Sequence, residues 1–244
     1  LDPHSARMVL EARKYGPKVE LQMMAAVAVM QRKGIINTAK GMENWRRLTK
    51  EQGSDIVAGI DFMVSALQRT EYEQTGVHIV KTRYDKALRT LEQLANRRNL
   101  NIYDLVVPDE AERKLLIKSS VAGADELYAL SGKSYVDHNG VRRQLVNSSV
   151  IPTGSELLIG ESLDLQQVRG KTIRSNPLIT AASSVDYDIL KEVSPHRVST
   201  VIKSIVIDND GTPRTVEQLY FDQKPTRYEI EGVASPSPEL QRFI

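Results

Sequence analysis

The first third of the chain carries apolar residues at the spacing of amphipathic helices. One helix is predicted over residues 3–15, because Asp2 is a good N-cap, Pro3 suits the first helical position and Gly16-Pro17 ends the helix. A second, very apolar helix is predicted over residues 18–32, ending at Gly34. Both helices have the length and composition of elements that pack in a soluble core.

Two further helices complete this predicted bundle. The first opens at Ser54-Asp55, and its apolar residues recur about every 3.6 positions: Ile56, Ile60, Val64 and Leu67. The second carries its apolar residues on one face: Tyr84, Leu88, Leu91 and Leu94. Residues 1–107 are therefore predicted to form an all-α helical bundle.

A domain boundary and a new helix start are predicted at Pro108, where Asp109 and Glu110 place acidic groups in the first helical turn. This helix, with a break near Gly123, is predicted to continue to about residue 130. Gly132 is interpreted as its C-cap. The helix would lead into the second domain.

Beyond residue 130 the pattern changes to short strands separated by turns. The predicted strands cover residues 133–137, 141–146, 156–159, 163–168, 172–174 and 178–182. His138-Asn139-Gly140 is a hairpin turn signal between the first two. A short helix over 185–193, with Ser183 and Asp186 as its capping box, ends before Pro195. Residues 108–198 are therefore predicted to form an OB-like β-barrel with a leading helix.

The last segment, residues 199–244, predicts a C-terminal β-hairpin extension and a tail. Its two strands, 200–207 and 215–221, flank the turn Asp208-Asn209-Asp210-Gly211. After Lys224 the chain becomes rich in Pro and Ser over 234–238, which is typical of a linker. The whole chain is thus predicted to be an α+β multidomain protein.

Composition excludes several classes of protein. The 244 residues contain no Cys, which excludes disulfide frameworks and thiolate metal sites and fits a cytoplasmic location. No apolar run reaches the ~18–20 residues of a membrane span, so we expect no membrane partner. The net charge is only +2, but residues 1–107 hold 17 Lys and Arg against 12 Asp and Glu, which permits phosphate contacts there.

Motifs for catalysis are weak. Ser131-Gly132-Lys133-Ser134 looks like the end of a phosphate-binding loop, but position 127 is Leu127, where such a loop needs Gly. The four histidines are scattered without metal-ligand spacing, and surface or capping roles are expected for them. No Gly-x-Ser-x-Gly motif is present. We therefore expect no catalytic residue, no metal site and no cofactor in this chain.

Basic residues in the predicted barrel are the candidate binding groups. They lie on strands or turns: Lys133, Arg142, Arg143, Lys171 and Arg174. OB-type barrels use such side chains to follow the phosphates of a single strand. A solvated polar face is the alternative for each of them. Because aromatic residues make up only 5% of the chain, contacts to the nucleic-acid backbone are expected rather than base stacking.

Short motifs along residues 1–198 occur in a characteristic order. In the helical part they are Leu1-Asp2-Pro3 with Ala6-Arg7-Met8-Val9-Leu10, the apolar helix 21–30, Gly53-Ser54-Asp55, and Lys86-Ala87-Leu88 with Gln93-Leu94. In the barrel part they are 117–123, Tyr135, 144–150, 178–181 and Val193-Ser194-Pro195. This series resembles the ratchet-like helical domain and OB-fold that follow the motor in DEAH-box helicases. Three features depart from the family: residues 187–190 lack its Trp, Asn147 replaces a Pro, and nothing after residue 200 matches.

The resemblance implies a non-catalytic C-terminal accessory module of an ATP-dependent helicase. ATP and Mg²⁺ would be bound by upstream RecA-like motor domains, and the bundle and OB-fold would clamp single-stranded RNA or DNA and couple it to that motor. Ser148 and Ser149, with the neighbouring basic residues, would face the strand or the motor. Family OB-folds also receive protein cofactors, so a protein–protein interaction module without nucleic-acid contact is the alternative.

Overall fold

The computed structural model describes residues 1–32, 35, 49, 53–68, 79–169 and 172–233, with backbone alone at 167–169, 172–174 and 233. Within these ranges the chain forms helices, then a five-stranded barrel, then a three-stranded sheet. The predicted α+β fold class is therefore confirmed. The helix end predicted at Gly34 and the Pro/Ser-rich tail both lie outside the described residues.

Six α-helices are present in the described ranges. They are α1 (Pro3–Arg13), α2 (Pro17–Met30), α3 (Asp55–Gln68), α4 (Lys81–Asn96), α5 (Glu110–Ala122) and α6 (Tyr187–Val193), with a 3₁₀ turn at Ile102–Asp104. Asp2 caps α1 by accepting a hydrogen bond from the Ser5 backbone N–H at 2.9 Å, as the sequence predicts. None of the described helices combines the length and apolar character that crossing a bilayer requires.

Helix α2 is the centre of the bundle. It packs against α1, α3, α4 and α5, and its middle residues, from Met23 to Ala28, are almost completely buried. A helix that contacts neighbours on every side must be apolar all round. This explains why α2 shows little amphipathic character, whereas α4, which packs on one side, has a clear apolar stripe.

The barrel has the strand order β1-β2-β3-β5-β4 and closes between β4 and β1. Its strands are β1 (Glu126–Ser131), β2 (Ser134–Val136), β3 (Arg142–Leu145), β4 (Leu157–Arg169) and β5 (Thr172–Val185). Neighbouring strands are antiparallel except β3 and β5, which run parallel with Gln144 opposite Leu178. The predicted OB-like barrel is therefore confirmed.

Several local predictions in the barrel were wrong. Residues 126–131 form strand β1 and not the end of a helix, because α5 ends at Gly123 and the buried side chains of β1 alternate between two cores. Gly132 occupies the β1–β2 turn at φ +68° and is no helix C-cap. The four predicted strands between 156 and 182 are two long ones, with a β-bulge between Ile159 and Glu161. Helix α6 is capped by Asp186 alone, which accepts from the Ile189 N–H.

The C-terminal extension has one strand more than the predicted hairpin. Strands β6 (Val198–Ile207), β7 (Pro213–Phe221) and β8 (Lys224–Val233) form an antiparallel sheet in chain order. The β7–β8 turn places Asp222 and Gln223 at φ +49° and +63°. Such turns normally use Asn-Gly or Asp-Gly, so Asp-Gln gave no turn signal and the third strand was missed.

Arg197 fastens this sheet to the rest of the molecule. Its guanidinium donates at 2.6 Å to Asp222 in the β7–β8 turn and at 2.7 Å to the Ala124 carbonyl, just before β1. It also lies 4.4 Å from the centre of the Phe221 ring, within range of a cation–π interaction. One largely buried cation therefore joins three separate segments of the chain.

Helix α5 takes part in two hydrophobic cores. Leu116 is buried with the helical bundle, whereas Val121, five residues later, is buried with residues of β1, β4 and α6. The division predicted between residues 107 and 108 stays a prediction, because no comparison tests it.

The bundle and the barrel meet at the N-terminus of α3. The Gly53 carbonyl accepts from the Ser184 N–H at 2.7 Å, and the hydroxyls of Ser54 and Ser183 lie 2.6 Å apart. The Asp55 carboxylate accepts from the Ser149 hydroxyl at 2.9 Å, the Val150 N–H at 2.8 Å and the Ala182 N–H at 3.2 Å. Asp55 thus satisfies three donors of the barrel from one helix end.

Replacing Asp55 by Ala is expected to lower the free energy of unfolding by about 2–4 kcal/mol, because three largely buried donors would lose their acceptor. Urea denaturation followed by circular dichroism measures this change. Glu110→Ala, which removes an exposed carboxylate from the start of α5, is the control and should change stability by less than about 0.5 kcal/mol. Equal effects of the two substitutions would show that Asp55 does not hold the junction.

Candidate nucleic-acid interface

Lys133 and Arg142 are the two sequence-predicted cations that the structure leaves open to solvent. Lys133 lies in the β1–β2 turn, and Arg142 begins β3, opposite Val136 of β2. Both side chains are exposed, and neither forms a hydrogen bond or ion pair with any described residue. They belong to consecutive β-hairpins of the barrel, Lys133 at the β1–β2 turn and Arg142 beside the β2–β3 turn, and both positive charges are open to an anionic ligand.

Arg143 is placed differently from its neighbour. Successive residues of a strand point to opposite faces, and Arg143, only 8% exposed, points inward. Its Nε donates to Asp137 Oδ2 at 3.1 Å and its Nη1 donates to Asp164 Oδ1 at 2.9 Å. The other Asp137 oxygen accepts the N–H groups of Asn139 and Val141, both at 2.9 Å. Arg143 therefore holds the β2–β3 turn against β4, and this position does not suit a phosphate contact.

Ser149 is also used inside the molecule. Its side chain is buried, and its hydroxyl donates to Asp55, 94 residues earlier in the chain. Ser148 is half-buried in the preceding turn. Gly53-Ser54-Asp55 and the segment containing Ser149, which the sequence presents as two separate motifs, are therefore in direct contact. The role suggested for Ser149, facing a bound strand, does not fit this geometry.

Of the remaining two candidates, only Arg174 can be placed. It is a residue of β5, and its backbone pairs with Gln167 of β4. Lys171 lies outside the described residues. The predicted set is thus divided: Lys133 and Arg142 are both exposed, whereas Arg143 and Ser149 serve the fold.

A second basic concavity was not predicted from the sequence. A hollow of about 460 Å³ between α1 and the segment after α6 is lined by Arg7, Lys14, His196 and Arg197 among others. Lys14 donates to Glu11 at 2.7 Å, and this hydrogen bond raises the pKa of Lys14. Arg7 and Lys14 are seven residues apart, about two helical turns, so the sequence alone could have placed both cations on one helix face. The sequence contained no signal for His196, because its approach to this helix depends on tertiary packing.

Comparison with known proteins gives matches among solved structures alone. No protein-family model matches the chain, and no curated protein matches it. The crystal structure of the Escherichia coli DExH-box NTPase HrpB matches over 99% of this chain and 24% of HrpB, with a TM-score of 0.49 and 18% identity. A second structure, described as the Escherichia coli DEAH/RHA helicase HrpB, matches over 100% of this chain and 24% of HrpB, with a TM-score of 0.47 and 16% identity. The chain spans about a quarter of HrpB.

The contrast between Arg142 and Arg143 can be tested by stability alone. Arg143→Ala is expected to lower the free energy of unfolding by about 3–5 kcal/mol, because it leaves the buried Asp137 carboxylate without its cation. Arg142→Ala should change it by less than about 0.5 kcal/mol, since an exposed side chain without partners is lost. Thermal and urea denaturation of the two variants measure both values. Similar losses of stability in the two variants would contradict the inward orientation of Arg143 and the outward orientation of Arg142.

Proposed function

We propose that this chain is a non-catalytic accessory module of an ATP-dependent helicase of the DEAH type, which clamps single-stranded RNA or DNA. The observation that carries the proposal is the pair of exposed cations, Lys133 and Arg142, on the consecutive β1–β2 and β2–β3 hairpins of an OB-like barrel. The order of sequence motifs supports the same function. ATP and Mg²⁺ would act in upstream RecA-like domains of the parent protein.

Phosphate binding at this surface would be electrostatic and insensitive to base sequence. A Lys ammonium and an Arg guanidinium form charge-assisted hydrogen bonds to phosphate oxygens, and the guanidinium can do so with two N–H groups at once. Neither cation must first break a contact with described residues to do this. The Ser131–Ser134 segment is a tight β-hairpin turn and offers no helix N-terminus for a nucleotide. The surface therefore suits a polynucleotide backbone better than a free nucleotide.

Coupling to a motor requires that the barrel and the bundle move as one unit. The contacts of Asp55 tie α3 to the barrel, and α5 is buried in both hydrophobic cores. A displacement of the bundle would thus be passed to the barrel and to a strand held at Lys133 and Arg142. The module would transmit motion and would not itself hydrolyse ATP.

The double variant Lys133→Glu/Arg142→Glu is expected to weaken binding of a labelled single-stranded RNA by roughly 1–3 kcal/mol, which is about 5- to 150-fold in Kd. Fluorescence anisotropy over a series of salt concentrations gives both the affinity and the number of phosphate contacts. The wild-type slope should approach −0.7 per contact and should become shallower in the variant. Single-stranded DNA of the same length tests the preference between the two polymers.

A control with the same change in charge is Lys81→Glu/Lys86→Glu, which reverses two exposed cations on α4. Affinity within about twofold of wild type is expected for it, because only general attraction is altered. If the control weakens binding as much as the barrel variant does, the barrel surface is not the specific contact. Unchanged affinity of the barrel variant at low salt would overturn the proposal outright.

The alternative, a protein-docking module, is favoured by strand β6. This strand is an edge of its sheet, yet Val201, Val206 and Ile207 expose large apolar side chains along it. Exposed apolar edge strands are suited to pairing with a further strand. Absence of salt-dependent nucleic-acid binding, together with retention of a protein cofactor that Val206→Lys abolishes, would favour this function over clamping.

A further inference from the structure

A cleft of about 660 Å³ separates the start of α1 from the barrel. Its inner surface is apolar, with Met8 from α1, Met30 from the end of α2 and Ile159 from β4. Ser120 and Gly123 from the end of α5 form one side, and Gly160 to Ser162 from the β4 bulge form the other. Bundle and barrel residues both line this cleft, and its size is that of ligand-binding pockets.

Two glycines allow the walls of the cleft to approach closely. A Cβ atom on Gly123 would lie 2.5 Å from the His4 carbonyl oxygen and 2.5 Å from Met8 Cγ. A Cβ on Gly160 would lie 2.8 Å from Ile179 Cγ2. Any larger residue at either position would push α1 from α5, or β4 from β5. The shape of the cleft is therefore specified by the sequence at both walls.

The rim of the cleft is acidic. Among the described residues that line it, four are carboxylates, namely Asp2, Asp125, Glu126 and Glu161, and His4 is the one basic residue. Burial raises the pKa of Asp2, but hydrogen bonds from Ser5 and Gln31 outweigh this and lower it to about 2. Glu126 accepts from the Tyr128 hydroxyl at 2.7 Å and lies 3.0 Å from His138 Nδ1. Asp125 is largely exposed, and its Oδ1 lies 3.9 Å from His4 Nε2.

The charge of the rim decides which ligand fits. A phosphate group would be repelled by these carboxylates, which disfavours a nucleic-acid ligand in the cleft. Among the described residues no three Asp, Glu or His side chains are grouped closely enough to hold a metal ion. The cleft combines apolar depth with dispersed negative charge at the edge, which is complementary to a long cationic side chain whose alkyl stem lies on apolar surface.

We propose that this acidic cleft binds a basic polypeptide segment, inserting a Lys or Arg side chain between apolar neighbours. The apolar stem would contact Met8, Met30 and Ile159, while the cation would face the carboxylates of the rim, above all the exposed Asp125. This site goes beyond the proposed clamping of nucleic acid, because it takes a partner of opposite charge at a different set of residues. It would give the module a protein contact that also bridges bundle and barrel.

The test uses the full 244-residue chain and a fluorescein-labelled decapeptide that alternates Arg and Leu, with a Glu-for-Arg peptide as its counterpart. The Arg peptide should bind, and Asp125→Asn/Glu161→Gln should raise its Kd about five- to tenfold. Glu110→Gln/Asp188→Asn removes two exposed carboxylates at other helix starts and should leave the Kd unchanged. Because the net charge of the chain is +2, unspecific attraction of a cationic peptide is small.

Methionine methyl NMR gives a second measurement that does not depend on a variant. Binding of the Arg peptide should shift the Met8 and Met30 signals. The signals of Met23 and Met63, which are buried elsewhere in the bundle, should stay unchanged. Equal binding of the Glu peptide, equal loss in both double variants, or unchanged Met8 and Met30 signals at saturation would each overturn the proposal. None of these measurements contains RNA or DNA, so their outcome is independent of the clamping test.

Discussion

The position of the barrel on the bundle depends on one carboxylate. Asp55 stands at the first turn of α3, where the free N–H groups of a helix favour negative charge, and it accepts three hydrogen bonds from two separate segments of the barrel. A carboxylate with this many donors is far more stable at a partly buried junction than one facing apolar atoms. Ser54 and Gly53 add further bonds to β5, so three consecutive residues fix the relative placement of the two parts.

Burial separates the basic residues into two groups with different roles. The guanidinium groups of Arg143 and Arg197 are largely shielded from water and instead donate hydrogen bonds to carboxylates and a carbonyl of the protein. A buried cation without such partners would be strongly destabilising. Lys133 and Arg142 keep their hydration and have no such partners among the described side chains. Basic residues in a sequence are thus candidate ligand contacts only after the structure has separated these two groups.

Much of the fold could be predicted because its signals are local. Asp2-Pro3 marks the start of α1, the apolar run after Pro17 marks α2, and the Asn-Gly pair marks the β2–β3 turn, each within a few residues of its observed place. Strand β1 was missed because the apolar spacing of 126–131 also fits a helix, and its two-sided burial arises from packing that no local pattern records.

The candidate site could be predicted only in part, because its decisive contacts are distant in sequence. Alternation along β3 predicts that Arg142 and Arg143 point in opposite directions, but not which one faces solvent, since that depends on where Asp164 of β4 lies. The contact between Asp55 and Ser149 spans 94 residues and could not be read from either motif. The acidic cleft draws its lining from α1, α2, α3, α5, β1, β4 and β5, so no window of the sequence contains it.

A nearly neutral net charge conceals two surfaces of opposite sign. Charges separated by more than a Debye length of ~8–10 Å are largely screened from one another, so the exposed cations Lys133 and Arg142 and an acidic cleft can coexist on one small protein. The cleft is lined by both bundle and barrel, and any occupant therefore stabilises their relative arrangement. If clamping of a strand depends on that same arrangement, the two ligands must influence each other's affinity equally, because such coupling is reciprocal. The junction at Asp55 would be the element through which that coupling passes.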